Sequence, residues 1–284
     1  MKHVLRNILA MIAAAALVSG CATPSPDAGK DGKIEVQWLG NAAMKITTVN
    51  GKVILIDPFL TANPKTPQQY KNLDALGKID LILVTHGHGD HIGNAGQGYD
   101  AVTLSKKHNA PLYAPAGLNQ ALITLGILSP ELSQRFGKGG TITPFPGVRI
   151  TATHAEHSSE LLWTNPVTSK PESHIGGEPV GFIIELENGF KIYHMGDTAV
   201  FGDMKLIGEY YKPDLIMIPI GGHYVMDPKD AAYATSNLLK PRFAIPMHYA
   251  TNPFLKGTPE EYMAALGNSS TKVFPINPGD KLRF

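Results

Sequence analysis

The sequence predicts an α/β layered sandwich, and three observations carry that expectation. From Lys33 onward, short apolar runs separated by turns read as strands. Between Gly93 and Pro111 the apolar spacing lengthens and becomes helical. A turn–strand–Asp unit, Asn50-Gly51 to Asp57, also returns as Asn188-Gly189 to Asp197. Two similar halves of this kind would stack sheet on sheet and carry their helices outside.

Taken in order, Ile34-Glu35-Val36-Gln37-Trp38 alternates as a half-buried strand does, and Met44 to Val49 gives a second. Asn50-Gly51 is a hairpin signal leading into Val53-Ile54-Leu55-Ile56, which runs straight into Asp57-Pro58. Ile79 to Thr85 is a continuous apolar strand, and a histidine run begins where it ends. Pro111-Leu112-Tyr113 is strand-like, as are Val148 to Ala152, Phe190 to Ile192 and Phe243 to Ile245. Lys78-Ile79-Asp80-Leu81-Ile82 resembles Lys212-Pro213-Asp214-Leu215-Ile216, so both repeated pairs lie about 135–140 residues apart, too long a period for a solenoid. Ser158 to Glu178 breaks the pattern with two prolines and the cluster Leu161-Leu162-Trp163. It reads as a lid or binding loop, or as a surface excursion whose Trp packs locally.

A length of 284 residues with 43% hydrophobic and 17% charged is that of a globular protein of one large domain or two small ones. A formal charge of +1, with nothing more basic than the Lys106-Lys107 pair, argues against a nucleic-acid partner. The N-terminus is more informative. Lys2, His3 and Arg6 precede the apolar stretch Ile8 to Val18 and then Ser19-Gly20-Cys21, which describes a secretory signal. That stretch is far short of the ~20 residues of a membrane-spanning helix. Val18-Ser19-Gly20-Cys21 resembles the bacterial lipoprotein box, so residues 1–20 are expected as a signal peptide and Cys21 as the lipidated attachment to a membrane. Residues 21–32, rich in Pro, Gly, Ser and Asp, then form a tether, and 33–284 the globular domain. Cys21 is the single cysteine, so the domain holds itself together through its core rather than through a disulfide. Ala22 after the Cys, by resemblance to Gram-negative lipoproteins, places the protein in the bacterial cell envelope, on the outer membrane facing the periplasm.

Five of the 11 histidines fall in two short stretches, and this clustering is the strongest functional signal. His86, His88 and His91 share one loop with Asp90, an N/O donor set suited to zinc, manganese or iron. Gly87 and Gly89 let the backbone bend around an ion. Without a cation, three imidazoles and a carboxylate crowded together would be poorly solvated. Four donors do not complete two metal sites, and further candidates stand at later strand ends. His154 and His157 follow Val148 to Ala152, His194 and Asp197 follow Phe190 to Ile192, and His248 follows Phe243 to Ile245.

The ordered set of HxHxDH, a His, the Asp of GDT and a late His resembles the metallo-β-lactamase superfamily. Within it, Leu55 to Phe59 (LIDPF), Thr85 to His91 (THGHGDH), His194 to Thr198 (HMGDT), Pro219 to His223 (PIGGH) and Ile245 to Tyr249 (IPMHY) resemble the ascorbate-phosphate lactonase-like branch. Its small prokaryotic metal-dependent hydrolases look nearest, and the branch is similar to the N-acyl-phosphatidylethanolamine phospholipase D enzymes. The resemblance implies a four-layer αββα sandwich and a centre of two divalent ions, zinc foremost and manganese or iron as alternatives. It assigns His86, His88 and His157 to one ion, Asp90, His91 and His248 to the other, and Asp197 as the bridge. His157 is preferred to His154 because Ala155-Glu156-His157-Ser158 fits the family's pattern. Asp57 takes the place of a carboxylate that accepts an imidazole N–H.

The implied chemistry is attack by a hydroxide bridging the two ions. Asp90 or Asp197 would orient it, and His223, after two glycines, would stabilise the oxyanion or protonate the leaving group. His194 reads as support for Asp197, and His108 and His174 as loop or surface histidines. One departure stands out: relatives resemble LGH at the first hairpin where this chain has Leu39-Gly40-Asn41. The expected function is hydrolysis of a lactone, ester or phosphodiester in a small-molecule or lipid-like substrate. The rival expectation is a lipoprotein of the same fold that binds a metal or ligand without turnover.

Overall fold

The computed structural model describes residues 33–94 and 98–284. The expected signal peptide, the tether and Cys21 lie outside the described residues. β1 (Glu35–Gly40), β2 (Ala43–Thr47) and β3 (Val53–Ile56) form an antiparallel meander. Asn50-Gly51 makes the expected turn, with Gly51 at φ +74° and its N–H donating to Thr48 O at 2.9 Å. β4 (Leu81–Leu83), β5 (Leu112–Pro115) and β6 (Ser133–Phe136) then add in parallel.

The second sheet starts with the antiparallel strands β7 (Thr141–Phe145) and β8 (Val148–His154). Between β8 and the next strand of that sheet comes a separate hairpin, β9 (Glu160–Thr164) and β10 (Pro171–Ile175). The excursion at Ser158 to Glu178 is therefore regular structure. Its strands went unread because PESHI at 171–175 is polar and β9 alternates over five residues only. β11 (Val180–Glu185) pairs β8 and β12 (Lys191–His194) in antiparallel fashion. β13 (Leu215–Pro219), β14 (Phe243–Met247) and β15 (Lys272–Val273) continue in parallel. β16 (Lys281–Arg283) crosses back to pair with β1, giving two seven-stranded sheets.

Period-two alternation explains the layering. Ile54, Ile56, Leu81 and Leu83 of the first sheet face Phe182, Ile184, Leu215 and Met217 of the second in the central core. The intervening residues point outward. Leu55 and Ile82 pack on Leu104 and Leu118 from the helices Asp100–His108 and Ala116–Thr124. Ile216 and Ile218 pack on Ala231 and Tyr262 from the helices Pro228–Tyr233 and Pro259–Leu266. Helix, sheet, sheet, helix is the expected αββα order.

The repeat is structural as well. Asp80 exchanges two bonds with Val53, its N–H donating to Val53 O at 2.9 Å and its Oδ2 accepting from Val53 N–H at 3.0 Å. Asp214 does the same with Lys191, at 2.8 and 3.0 Å. Each aspartate locks a parallel strand pair, β3–β4 in one half and β12–β13 in the other. The active strand ends of both halves thus arrive at one edge of the sandwich. β4 itself is shorter than the apolar run from Ile79 to Thr85, because the Thr85 N–H leaves the ladder to donate to Asp57 Oδ1 at 2.7 Å.

Candidate metal centre

Six strand-end segments meet at that edge. Asn41 at φ +51°, Asp57 at +45° and His248 at +55° all take left-handed backbone there. Asn, Asp and His are the non-glycine residues enriched in this region, and residues held there cluster at functional sites. The turn Gly89–Ile92 follows His88 directly and brings Asp90 and His91 around on one helical turn.

Three donor groups result, each with its ligand atoms within 4.8 Å of one another: His86, His88 and His157; His86, His91 and Asp197; and Asp90, His91 and His248. Asp197 lies against both histidine sets. Its Oδ1 is 3.2 Å from His91 Nε2, and its Oδ2 is 3.1 Å from His248 Nε2, 3.7 Å from His157 Nε2 and 4.0 Å from His86 Nε2.

Supporting bonds decide which ring nitrogens face inward. Asp57 Oδ2 accepts from His91 Nδ1 at 2.9 Å and from the Thr85 hydroxyl at 2.7 Å. Thr85 Oγ1 in turn lies 3.0 Å from His86 Nδ1, so that nitrogen donates to it. His91 and His86 therefore turn Nε2 toward the cluster. His88 is reversed: its Nε2 meets Glu160 Oε2 at 2.8 Å and its Nδ1 lies 3.1 Å from His86 Nε2. A metal-bound imidazole with its other nitrogen held by an oxygen is a familiar arrangement.

The donor set fits a cation. His86 Nε2 meets His88 Nδ1, and His91 Nε2 meets His248 Nε2 at 3.2 Å, ring nitrogen against ring nitrogen. Each such pair needs a proton or a cation between its lone pairs. Asp197 Oδ1 is buried without an aligned hydrogen-bond donor. The side chains alone compensate by moving protons. Burial disfavours charge on His91, yet the carboxylates of Asp197, Asp57 and Asp90 outweigh it and hold its pKa well above the usual value. His248, equally buried, is pushed up to about 9 by Asp197 and Asp90. Burial and the charge on His91 hold His86 well below its usual value, and burial lowers His157. Burial would raise Asp197, but His248 and His91 hold it far below the carboxylate range.

The comparisons with known proteins agree with this geometry. A model of the beta-lactamase superfamily domain matches residues 52–249. The chain belongs to the metallo-β-lactamase superfamily. A metal-dependent hydrolase of Polaromonas sp. is 57% identical over 284 residues, covering 100% of both chains. One from Cupriavidus necator is 57% identical over 282 residues, covering 95% of this chain and 96% of its own. Among solved structures, a metallo hydrolase of the archaeon Ignicoccus hospitalis matches with a TM-score of 0.74 at 32% identity, over 89% of this chain and 98% of its own. The chain is a metal-dependent hydrolase of this superfamily.

Of the residues singled out in the sequence, the fold brings His86, His88, Asp90, His91, His157, Asp197 and His248 together. His154 points elsewhere, to Glu156 Oε2 at 3.1 Å and Lys138 Nζ at 3.3 Å, which separates it from His157. His223 lies outside the cluster. It is exposed and stacks on Phe254 at 4.9 Å, because Gly222 at φ +75° and its own φ of +60° turn it outward while Tyr224 takes the cavity wall. His194 supports the metallo-β-lactamase centre from beneath: its Nε2 donates to Ala42 O at 2.8 Å and its Nδ1 accepts from Gly196 N–H at 3.3 Å. Asn41, where relatives resemble a histidine, donates from Nδ2 to Asp90 O at 3.0 Å and to Asp90 Oδ2 at 3.2 Å.

Sequence reasoning missed four contributors to this metallo-β-lactamase site. Thr85 joins Asp57 to His86. Thr198 Oγ1 accepts from Glu156 N–H at 3.0 Å and ties the Asp197 loop to the His157 loop. Ser159 Oγ accepts from Gly87 N–H at 3.1 Å and donates to Gly176 O at 2.8 Å, fixing the β9–β10 hairpin to the histidine loop. Glu160 holds His88. Only Thr85 and Thr198 had a signal in the chain, as neighbours of ligand residues; Ser159 and Glu160 act across some seventy residues of sequence.

Proposed function

We propose that this hydrolase works with two divalent ions, zinc foremost and manganese or iron as alternatives, and cleaves a lactone, ester or phosphodiester. The observation that carries the reading is Asp197, a buried carboxylate facing both histidine sets with one oxygen lacking a hydrogen bond. His86, His88 and His157 would hold one ion and Asp90, His91 and His248 the other, with Asp197 shared. Bound there, the ions would supply a water of lowered pKa and polarise the scissile oxygen.

The chain's own residues do the rest. Asp90 is partly exposed to the cavity, is held by Asn41, and orients the attacking water. Asp197, buried between the two histidine sets, is placed to be shared by both ions. Asp57 and Thr85 keep His91 and His86 in the tautomers that present Nε2. The cavity above the cluster, about 640 Å³, accommodates a small-molecule or lipid-like substrate.

Elemental analysis of protein lacking residues before Ala22, followed on the same sample by lactone, ester and phosphodiester substrates, tests the reading. Two ions per chain with turnover are expected; one ion, or none after reconstitution with zinc and manganese, overturns it. We also read the protein as a lipoprotein of the cell envelope, anchored to the outer membrane at Cys21, on the strength of Val18-Ser19-Gly20-Cys21. Cys21→Ser should then release it from membranes; a variant that stays bound is held either by its uncleaved signal or by another anchor.

A further inference from the structure

The cavity over the cluster has a distinct chemical character. Its upper wall is Phe59, Pro64, Leu162 and Tyr224, four apolar or aromatic side chains. Leu162 and Tyr224 are 47% and 51% exposed, so apolar surface at the mouth is left open to whatever enters. Phe254 beside them is 54% exposed and meets Tyr224 edge to face at 6.1 Å. Isolated exposed apolar residues are common, but here several rim one opening.

The charge pattern is equally one-sided. Among the described residues, no Lys or Arg lines the cavity. Apart from the candidate ligands Asp90 and Asp197, its only charged side chain is Glu160. Bonds to Ser158 Oγ at 3.0 Å and His88 Nε2 at 2.8 Å hold that side chain in place at the cavity wall. A substrate phosphate has several oxygens to satisfy beyond those the ions engage, and such groups are ordinarily met by Arg, Lys or a helix N-terminus. Here the lining offers no cationic partner, only the neutral donors Ser158, Ser173, Thr251 and Asn252 beside Glu160 and the apolar wall. An uncharged acyl group with an alkyl arm leaves nothing unpaired, and its arm covers Leu162 and Tyr224.

We propose that the substrate is an uncharged carboxylic ester or lactone carrying an apolar arm, and not a phosphodiester. The inference rests on the two-metal reading above and narrows it. In the reaction the oxygen of water bonds to the acyl carbon and the acyl C–O bond breaks. The alkoxide leaves as the alcohol with one of the water's protons, and the acid is released as its carboxylate with the other proton to solvent. The β9–β10 hairpin, through Leu162, and the segment carrying Tyr224 set specificity by the length of arm they cover.

The test uses metal-loaded protein whose metal content is measured alongside every assay. Substrates are para-nitrophenyl acetate, butyrate and octanoate, δ-valerolactone and δ-decalactone, and bis(para-nitrophenyl) phosphate. We expect kcat/KM to climb with chain length, up to about fourfold for each methylene that becomes buried. The phosphodiester should lag the octanoate by at least about a hundredfold, the scale of a like-charge penalty. Leu162→Ala and Tyr224→Ala should flatten the chain-length slope, and both sites are exposed enough to spare the fold. Turnover of the phosphodiester within tenfold of the octanoate overturns the proposal while leaving the metal centre intact, as does metal-replete protein that hydrolyses neither class. Protein that cannot be loaded with metal overturns the two-metal reading, and the proposal falls with it.

Discussion

Asp57 Oδ2 lies 2.9 Å from His91 Nδ1 and 2.7 Å from Thr85 Oγ1, so one fully buried carboxylate orients two of the clustered histidines, one directly and one through a hydroxyl. Its other oxygen takes the Thr85 N–H, which ends β4 and turns the chain into the histidine run. Asp57→Asn keeps the volume but puts an amide where an N–H and an O–H both donate. Metal affinity should fall by about 10–100-fold, with turnover falling in parallel. Competition with a chromophoric chelator measures this; an unchanged affinity would mean that the ligands hold their orientation without Asp57.

Glu160 does for His88 what Asp57 does for His91, from a more open position, with its side chain 54% exposed. Water can replace part of that contact. Glu160→Gln should therefore cost less metal affinity than Asp57→Asn, about tenfold or under. Titration calorimetry of both variants on one protein preparation gives the order, and the reverse order would refute the comparison.

These two carboxylates also show what was legible in the sequence. Asp57 was anticipated through the family resemblance, in the place of a carboxylate that accepts an imidazole N–H. His86 to His91 could be read because four donors share one loop. Asp197 and His248 were reached through their order along the chain, and the repeated strand–Asp unit pointed to two halves that the Asp80 and Asp214 clamps bear out. Glu160 could not be read, since its partner His88 belongs to a loop that only the folded hairpin approaches. The exposure of His223 could not be read either. Two glycines before a histidine at a strand end suit a site residue, but the direction of its side chain depends on φ values that the letters do not carry.

Gly196 sits at φ +63° between β12 and Asp197, and a Cβ there would come 2.9 Å from Thr85 Cβ and 3.0 Å from Val180 O. Both the backbone region and the space favour glycine. Gly196→Ala should destabilise the protein by about 1–3 kcal/mol, the cost of a strained conformation. Because Asp197 must shift with the backbone, metal affinity should drop as well. Thermal unfolding with and without added metal separates the two effects, and an unchanged melting temperature in metal-free protein would count against the close approach.

Asp80 offers a prediction away from the centre. Its side chain is 9% exposed, and burial alone would raise its pKa. Lys78 at 2.8 Å, the Val53 N–H and Lys52 together outweigh that and lower it. A carboxyl lowered in the folded state stabilises the fold above its unfolded value and loses that contribution as pH falls through the folded one. Asp80→Asn should therefore cost about 1–3 kcal/mol near neutral pH, and the gap to the parent should close as pH drops below about 4. Urea unfolding of metal-free protein at the two pH values checks this, and a gap independent of pH would assign the loss to packing.

The sharing of Asp197 between two histidine sets predicts an asymmetry among ligand variants. His157 belongs only to the set with His86 and His88, and His248 only to the set with Asp90 and His91. His157→Ala should leave one ion bound and so should His248→Ala, each at the other position. Asp197→Ala removes a ligand from both, so both ions should be weakened and hydrolysis abolished in a protein that still folds. His88→Ala, lacking one of three nitrogens around a single ion, should also abolish hydrolysis while the second ion stays. Elemental analysis after gel filtration counts the ions, and circular dichroism confirms the fold. Loss of both ions from His157→Ala alone would mean that the positions fill cooperatively, whereas retained turnover in both His88→Ala and Asp197→Ala would remove the two-ion mechanism altogether.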